Sequence, residues 1–335
     1  MALSGAYRGY LHQDAVTAYL LTTLLLPGAS ARTLTADRKV TSDDCFDDIE
    51  LRGTGRRRIQ VKSHQVEHRP LQLTDFTTHA ISFRIDRAVR SFTAENSPAD
   101  EYRLFTTYDP PDETVSQFLE SAQDVSQLLP GVSTRRYRLL VSHIWPEGGN
   151  SVWPHLAEIG REIFASFCAR FVIEIGCPRS STDLRQPGPL EQSLLRVLAD
   201  DIGVGLWPNN NRDVTDSAAH LIYKASVARA NSATLAEDEV IQALGLRIDY
   251  GRVPEILPVD DRRLVRRVDA LGDITRMLST TSRVAITGPP GIGKSWFLHQ
   301  LAIRLADEGW WVAMSAPFHG ADAGSNPAGD AKSIA

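Results

Sequence analysis

Two short alternating stretches joined by a glycine turn place the tightest constraint on what this chain can fold into. Ile49 and Leu51 alternate with Asp48 and Glu50, and Ile59 and Val61 alternate with Gln60 and Lys62. That period of two belongs to half-buried strands with one apolar and one polar face. Gly53-Thr54-Gly55 supplies the turn between them. A hairpin centred on Thr54 sets Ile49 opposite Ile59 and Asp48 opposite Gln60, which gathers Asp48, Gln60 and Lys62 on the polar side of a sheet whose other side is a core.

A carboxylate, an amide oxygen and an ammonium in that arrangement suit metal-assisted hydrolysis of a phosphodiester. Asp48 and the Gln60 side-chain oxygen, with a nearby backbone carbonyl, form an oxygen shell for a hard cation such as Mg2+. The cation activates a water and neutralises phosphate charge, while Lys62 orients that water or stabilises the pentacovalent transition state. The plainer alternative is a solvated hairpin with charges on its outer face.

The element Gln60-Val61-Lys62 behind Asp48 resembles the PD-(D/E)xK nuclease superfamily, in particular its Mrr-like branch, where Gln replaces the acidic residue. Gly9-Tyr10-Leu11-His12-Gln13-Asp14-Ala15, leading into an aliphatic helix from Tyr10 to Leu26, resembles the opening of double-stranded DNA endonuclease domains at the front of bacterial anti-phage proteins. The resemblance implies a restriction-endonuclease-like mixed sheet with flanking helices. It also implies an acidic metal ligand from the first helix, where this chain has Gln13 with Asp14 beside it. Either residue, or neither, fills that place.

Farther along, Thr74 opens a helix expected to run through Phe92, followed by strands at Tyr102–Tyr108 and Tyr137–Trp145 with a helix near Val115–Leu129 between them. A helix from Pro154 to Ala169 and an apolar strand from Phe171 to Gly176 complete an α/β domain over 1–182. The segment from Cys177 to Pro189 reads as a linker, and 183–257 as a helical connector with an apolar stripe at Leu190, Leu194, Leu195, Val197 and Leu198. His64 and His68 have a spacing that zinc ligands on a helix use, but no third ligand accompanies them; a phosphate or solvent contact is the reading preferred.

The most specific motif lies in the remaining span, 258–335. The apolar strand from Ser282 to Thr287 runs into Gly288-Pro289-Pro290-Gly291-Ile292-Gly293-Lys294-Ser295 and then a helical stretch from Trp296 to Leu305. This is a phosphate loop in the strand-loop-helix context its chemistry requires. Backbone N–H groups and the helix N-terminus receive the phosphates of ATP, Lys294 reaches the β and γ groups and Ser295 ligates Mg2+. No apolar strand ending in an acid follows, so the span is expected to be the N-terminal part of an NTPase, in a fragment or a truncated product. Together with Val265–Leu271 and Ala243–Arg252 it resembles a STAND NTPase of bacterial anti-phage defence. The resemblance implies homo-oligomerisation through the NTPase and a sensor that unleashes the nuclease. A competing expectation is a nucleotide-binding adaptor whose nuclease-like domain is catalytically dead.

Composition sets the outer limits. A formal charge of -5 over 335 residues carries no global nucleic-acid signature, so attraction to double-stranded DNA must be local. From Arg52 to Arg69 six Lys/Arg face one acid, Glu67, a net of +5 beside the expected site. Three cysteines without a C-x-x-C pair fit a cytoplasmic chain, and the longest aliphatic run, Leu20–Leu26, is too short to span a membrane.

Overall fold

A computed structural model of the chain describes residues 2–26, 28–39, 44–64, 68–78, 83–95, 97–181, 186–206, 209, 211–246, 268–278, 286, 297–298, 300–301 and 304–305. The chain divides into two compact units, Met1–Ile202 with Val214–Leu244, and Gly203–Asp213 with Gly245–Ala335.

The first unit is mixed α/β. Helix α1 (Ala2–Thr23) leads into strand β1 (Ala31–Ala36), the hairpin β2 (Ile49–Gly53) and β3 (Arg56–Lys62), short helix α2 (Thr74–Thr77) and helix α3 (Ile85–Ala94). Strand β4 (Glu101–Thr106), short helix α4 (Glu113–Ser116), strands β5 (Leu119–Ser121) and β6 (Arg135–Leu139), short helix α5 (Val141–Ile144), helix α6 (Arg161–Cys168) and strand β7 (Phe171–Ile175) follow. Helix α7 (Pro189–Arg196), helix α8 (Val214–Ala230), strand β8 (Thr234–Ala236) and helix α9 (Glu237–Leu244) close the unit. The eight strands form one sheet in the order β5-β6-β7-β4-β3-β2-β1-β8. Among the described strands only β3, β4 and β7 run parallel, each connected by a crossover that contains helix, while the pairings on either side are antiparallel.

Both faces of this sheet are covered, so its strands do not have the solvated face that alternation predicts. Tyr102, Leu104, Phe171 and Ile173 enter an aromatic core with Phe46, Phe83, Phe92, Phe164 and Phe167 beneath α3 and α6. The opposite face lies under α1, which packs on β1, β3, α7 and α8. A sheet with helices on both sides buries polar and apolar positions alike, and Glu50 and Arg58 on the nominal polar face are 1% and 0% exposed.

Several boundaries depart from the periodicity. The helix expected from Thr74 to Phe92 is two helices: Thr78 at the end of α2 and Arg84 before α3 are both extended. The helix expected over Val115–Leu129 stops after α4. Leu119 there pairs with Leu139, so strand pairing overrides helical spacing. The expected strand from Tyr137 turns helical at Val141, and the helix expected from Pro154 is broken at Gly160, where φ is 87°. Most of the stretch read as a separate connector, 189–202 and 214–244, belongs to the compact first unit: α8 packs along α1, and β8 adds the last strand beside β1.

In the second unit, α10 (Val268–Leu278) presents Leu271 and Leu278 to a small core with Phe297, Leu298, Leu301 and Leu305. Among the described residues no helix is long and apolar enough to cross a membrane.

Candidate active site

The hairpin turn is tied to the chain before β1. Gly53 N donates to Gly55 O at 3.0 Å and Thr54 N donates to Ser30 O at 2.9 Å. A Cβ on Gly53 would sit 1.8 Å from Ser30 O, so the close approach admits only glycine. The turn fixes the register: Ile49 pairs with Ile59 and Arg52 with Arg56, centred on Thr54 as the spacing predicts.

That register brings Asp48 and Gln60 into contact. Gln60 Nε2 donates to Asp48 Oδ2, and the backbone Val61 N donates to the same oxygen at 2.7 Å. Lys62 follows two residues later at the C-terminal end of β3, paired in register with Thr106 of β4. Burial pushes the Asp48 carboxyl up to about 7; the Lys62 charge and the Val61 hydrogen bond oppose the shift, while Asp47 and Asp37 add to it. Asp47 is also raised, again chiefly by burial, with Lys39 3.7 Å away. Asp48 is thus a carboxyl that a nearby cation would convert to carboxylate.

The donor set suits a hard cation that keeps much of its water. Among the described residues no group of three or more His, Cys, Asp or Glu is placed to hold a metal. One carboxylate completed by neutral oxygens, water and substrate phosphate is how Mg2+ is usually held. In this conformation Gln60 turns its amide nitrogen toward Asp48, so its oxygen joins such a shell only after the amide rotates by half a turn.

The first helix meets the site through Gln13. Its Nε2 donates to the Asp48 backbone O at 3.4 Å. Asp14 is committed elsewhere, to Arg229 of α8 at 2.7 and 3.1 Å, and the same guanidinium lies 4.4 Å from the centre of the Tyr10 ring. Of the two first-helix candidates, Gln13 is therefore the one at the site.

Two buried polar side chains acquire their surroundings only in the fold. His12 is buried, with Nδ1 3.3 Å from Ser180 Oγ and Nε2 3.8 Å from Cys177 Sγ; burial and Arg179 lower its pKa to about 4, so it is neutral near pH 7. Thr106, beside Lys62 in the register, has a buried hydroxyl without a hydrogen-bond partner. Residues of this kind are found only once the parallel strands are aligned, because their partners are more than 40 positions away.

The basic stretch is not the free DNA-facing patch that its charge suggests. Arg58 is sealed in the interior against Glu95 and, at 2.5 Å, Asp44. Arg56 reaches Glu50 at 2.7 Å and Glu95 at 2.9 Å, and Glu50 also receives Arg38 at 2.8 Å and Arg52 at 2.5 Å. Burial pushes the Glu50 carboxyl up, but hydrogen bonds from Arg52 and Arg56 outweigh it and the group ends below its ordinary range. Arg69 is held by Asp75 and by the Tyr108 hydroxyl, each at 2.7 Å. His64 and His68 do not share a helical turn: His64 follows β3, and His68 has φ 55° with Asp109 3.3 Å away.

Gly288, Pro289, Pro290, Gly291, Ile292, Gly293, Lys294 and Ser295, the expected phosphate loop, lie outside the described residues. No protein-family model matches the chain, and no curated protein matches it.

Proposed function

We propose that the first unit is a metal-dependent endonuclease of the PD-(D/E)xK type acting on double-stranded DNA, with a restriction-endonuclease-like sheet. The observation that carries this reading is the contact of Asp48 with Gln60, with Lys62 next along β3 at the C-terminal end of the parallel strands. Ligands of α/β sheets gather at that end.

Each residue then has a role. Asp48 binds in its ionised form, releasing the proton that burial favours. Gln60 rotates its amide to offer oxygen, and Gln13 fixes the Asp48 backbone. Mg2+, when bound there, supplies an activated water and a counter-charge for the phosphate. Lys62 donates to the phosphate oxygen on which negative charge grows, a role worth most in a partly desolvated site. We further propose that Gly288–Ser295 bind ATP within a P-loop STAND NTPase, and that homo-oligomerisation through that unit controls the nuclease in anti-phage defence. The sequence motif alone supports this part.

A second reading, a nucleotide-binding adaptor with an inactive nuclease-like unit, is favoured by one observation: Arg56 and Arg58 are spent on internal carboxylates rather than left for DNA. Supercoiled plasmid incubated with the purified chain separates the two. Endonuclease action predicts nicking that needs Mg2+, stops with a chelator and falls at least 100-fold in Asp48→Ala and Lys62→Ala while circular dichroism is unchanged, on the scale of losing a metal ligand or a charge-stabilising donor. Cleavage by Lys62→Ala at the parental rate removes the assignment, and no cleavage by the parent favours the adaptor.

A further inference from the structure

We infer a second, separate ligand site at the turn end of the hairpin, a half-open cavity built on Arg57 that receives a small monocarboxylate with an apolar body. The cavity measures about 250 Å3 and lies between the C-terminal end of α1, the segment Gly28–Ala31, Leu51 and Arg57 of the hairpin, and the loop Ser126–Pro130. Leu20, Leu26, Leu51 and Leu128 supply apolar wall. Its volume falls below the roughly 300–1,000 Å3 of sites for drug-sized molecules, which restricts the occupant to a fragment-sized acid.

Charge selects the occupant. Arg57 donates from Nη2 to Ser30 Oγ at 3.0 Å, and no carboxylate pairs with it among the described residues. Its register partner Glu101 is taken by Arg103 at 2.7 Å, and Arg103 is also held by Glu174. Apart from the exposed Arg138–Asp124 pair, the charges on this face of β3, β4, β7 and β6 are Arg57, Arg103 and Arg136 against Glu101 and Glu174. The surplus is one positive charge, and Arg136 keeps Nε and Nη1 without partners. A monoanion balances that surplus, whereas a phosphate monoester exceeds it. The guanidinium fork also matches a carboxylate in two parallel hydrogen bonds. Burial depresses the Arg57 pKa; the Glu101 charge opposes the shift and neighbouring Arg103 adds to it.

The site is distinct from the Asp48 cluster. Arg57 and Lys62 both lie on β3, and at about 3.3 Å per residue their Cα atoms are roughly 16 Å apart.

Isothermal titration of the full chain with hexanoate, 1-hexanol and butyl phosphate tests the inference. Hexanoate is expected to bind saturably at one site, with hexanol and butyl phosphate at least tenfold weaker. Arg57→Gln should weaken hexanoate by tenfold or more, and Arg57→Lys, which keeps charge but not the fork, by less. Absence of saturable hexanoate binding to the parent overturns the site. So does hexanol binding as tightly as hexanoate, or a preference for butyl phosphate. Unchanged affinity in a folded Arg57→Gln overturns it as well; if that variant fails to fold, Arg57→Lys and the hexanol comparison on the parent decide.

Discussion

Replacing Asp48 by Asn should make the protein more stable at alkaline pH, although it removes a hydrogen-bonded side chain from the centre of the site. The carboxyl sits in surroundings that push it from its ordinary range up to about 7. From an unfolded value near 4, ionising it in the folded chain costs up to about 4 kcal/mol. The sign follows from proton counting. Below about pH 4 the group is protonated in both states and there is no penalty; between about 4 and 7 the folded state holds the extra proton, so stability falls as pH rises; above about 7 the penalty is complete. Because the residue is half-buried, water screens part of this and the measured difference lies below the ceiling. Asn keeps an acceptor for Val61 N and carries no charge, and Gln60 can offer it oxygen after a half-turn. Urea unfolding followed through buried Trp145 and Trp153, from pH 5 to 8.5, should give parent and variant curves that diverge up to about pH 7 and run parallel above it. Mg2+ should raise the parent's midpoint at pH 8 and leave the variant's unmoved. A difference between the two that does not change with pH would refute the argument, since it would mean that burial does not hold Asp48 near 7.

Two further expectations concern the arginines and the phosphate loop. Arg58→Ala takes the buried guanidinium away from Asp44 and leaves Arg56 as the arginine on Glu95; it should cost about 3–5 kcal/mol of stability, read by urea unfolding, and a cost below about 1 kcal/mol, typical of exposed pairs, would show that the network is solvated. Lys294→Ala should abolish binding of a fluorescent ATP analogue by fluorescence anisotropy, and retained affinity would remove Gly288–Ser295 from the nucleotide site.

The hairpin was legible because two independent signals agree on it, the alternation of Ile49, Leu51, Ile59 and Val61 and the glycine turn whose centre sets the register. What alternation does not carry is the environment of the other face. Glu50, Arg56 and Arg58 look like a solvated rim, and only packing of two distant segments, one holding Asp44 and the other Glu95, turns the arginines inward. Helical spacing misled at Leu119 for a similar reason, since its partner Leu139 is supplied by tertiary pairing. The choice between Gln13 and Asp14 was likewise undecidable from α1, because it is made by Arg229 on α8.

The pairing of β1 with β8 has a consequence for how the molecule is made. Thr35 and Thr234 share a hydrogen bond across 199 positions, and Asp14 waits across 215 for Arg229. During synthesis the hairpin and the parallel strands emerge long before β8, so the growing chain carries an open sheet edge at β1 and an uncompensated acid on α1. An open edge recruits other strands, and contacts of such long range form late. The last strand thus acts as a completion signal: full closure of the unit is withheld until the ribosome has delivered everything through α8 and β8.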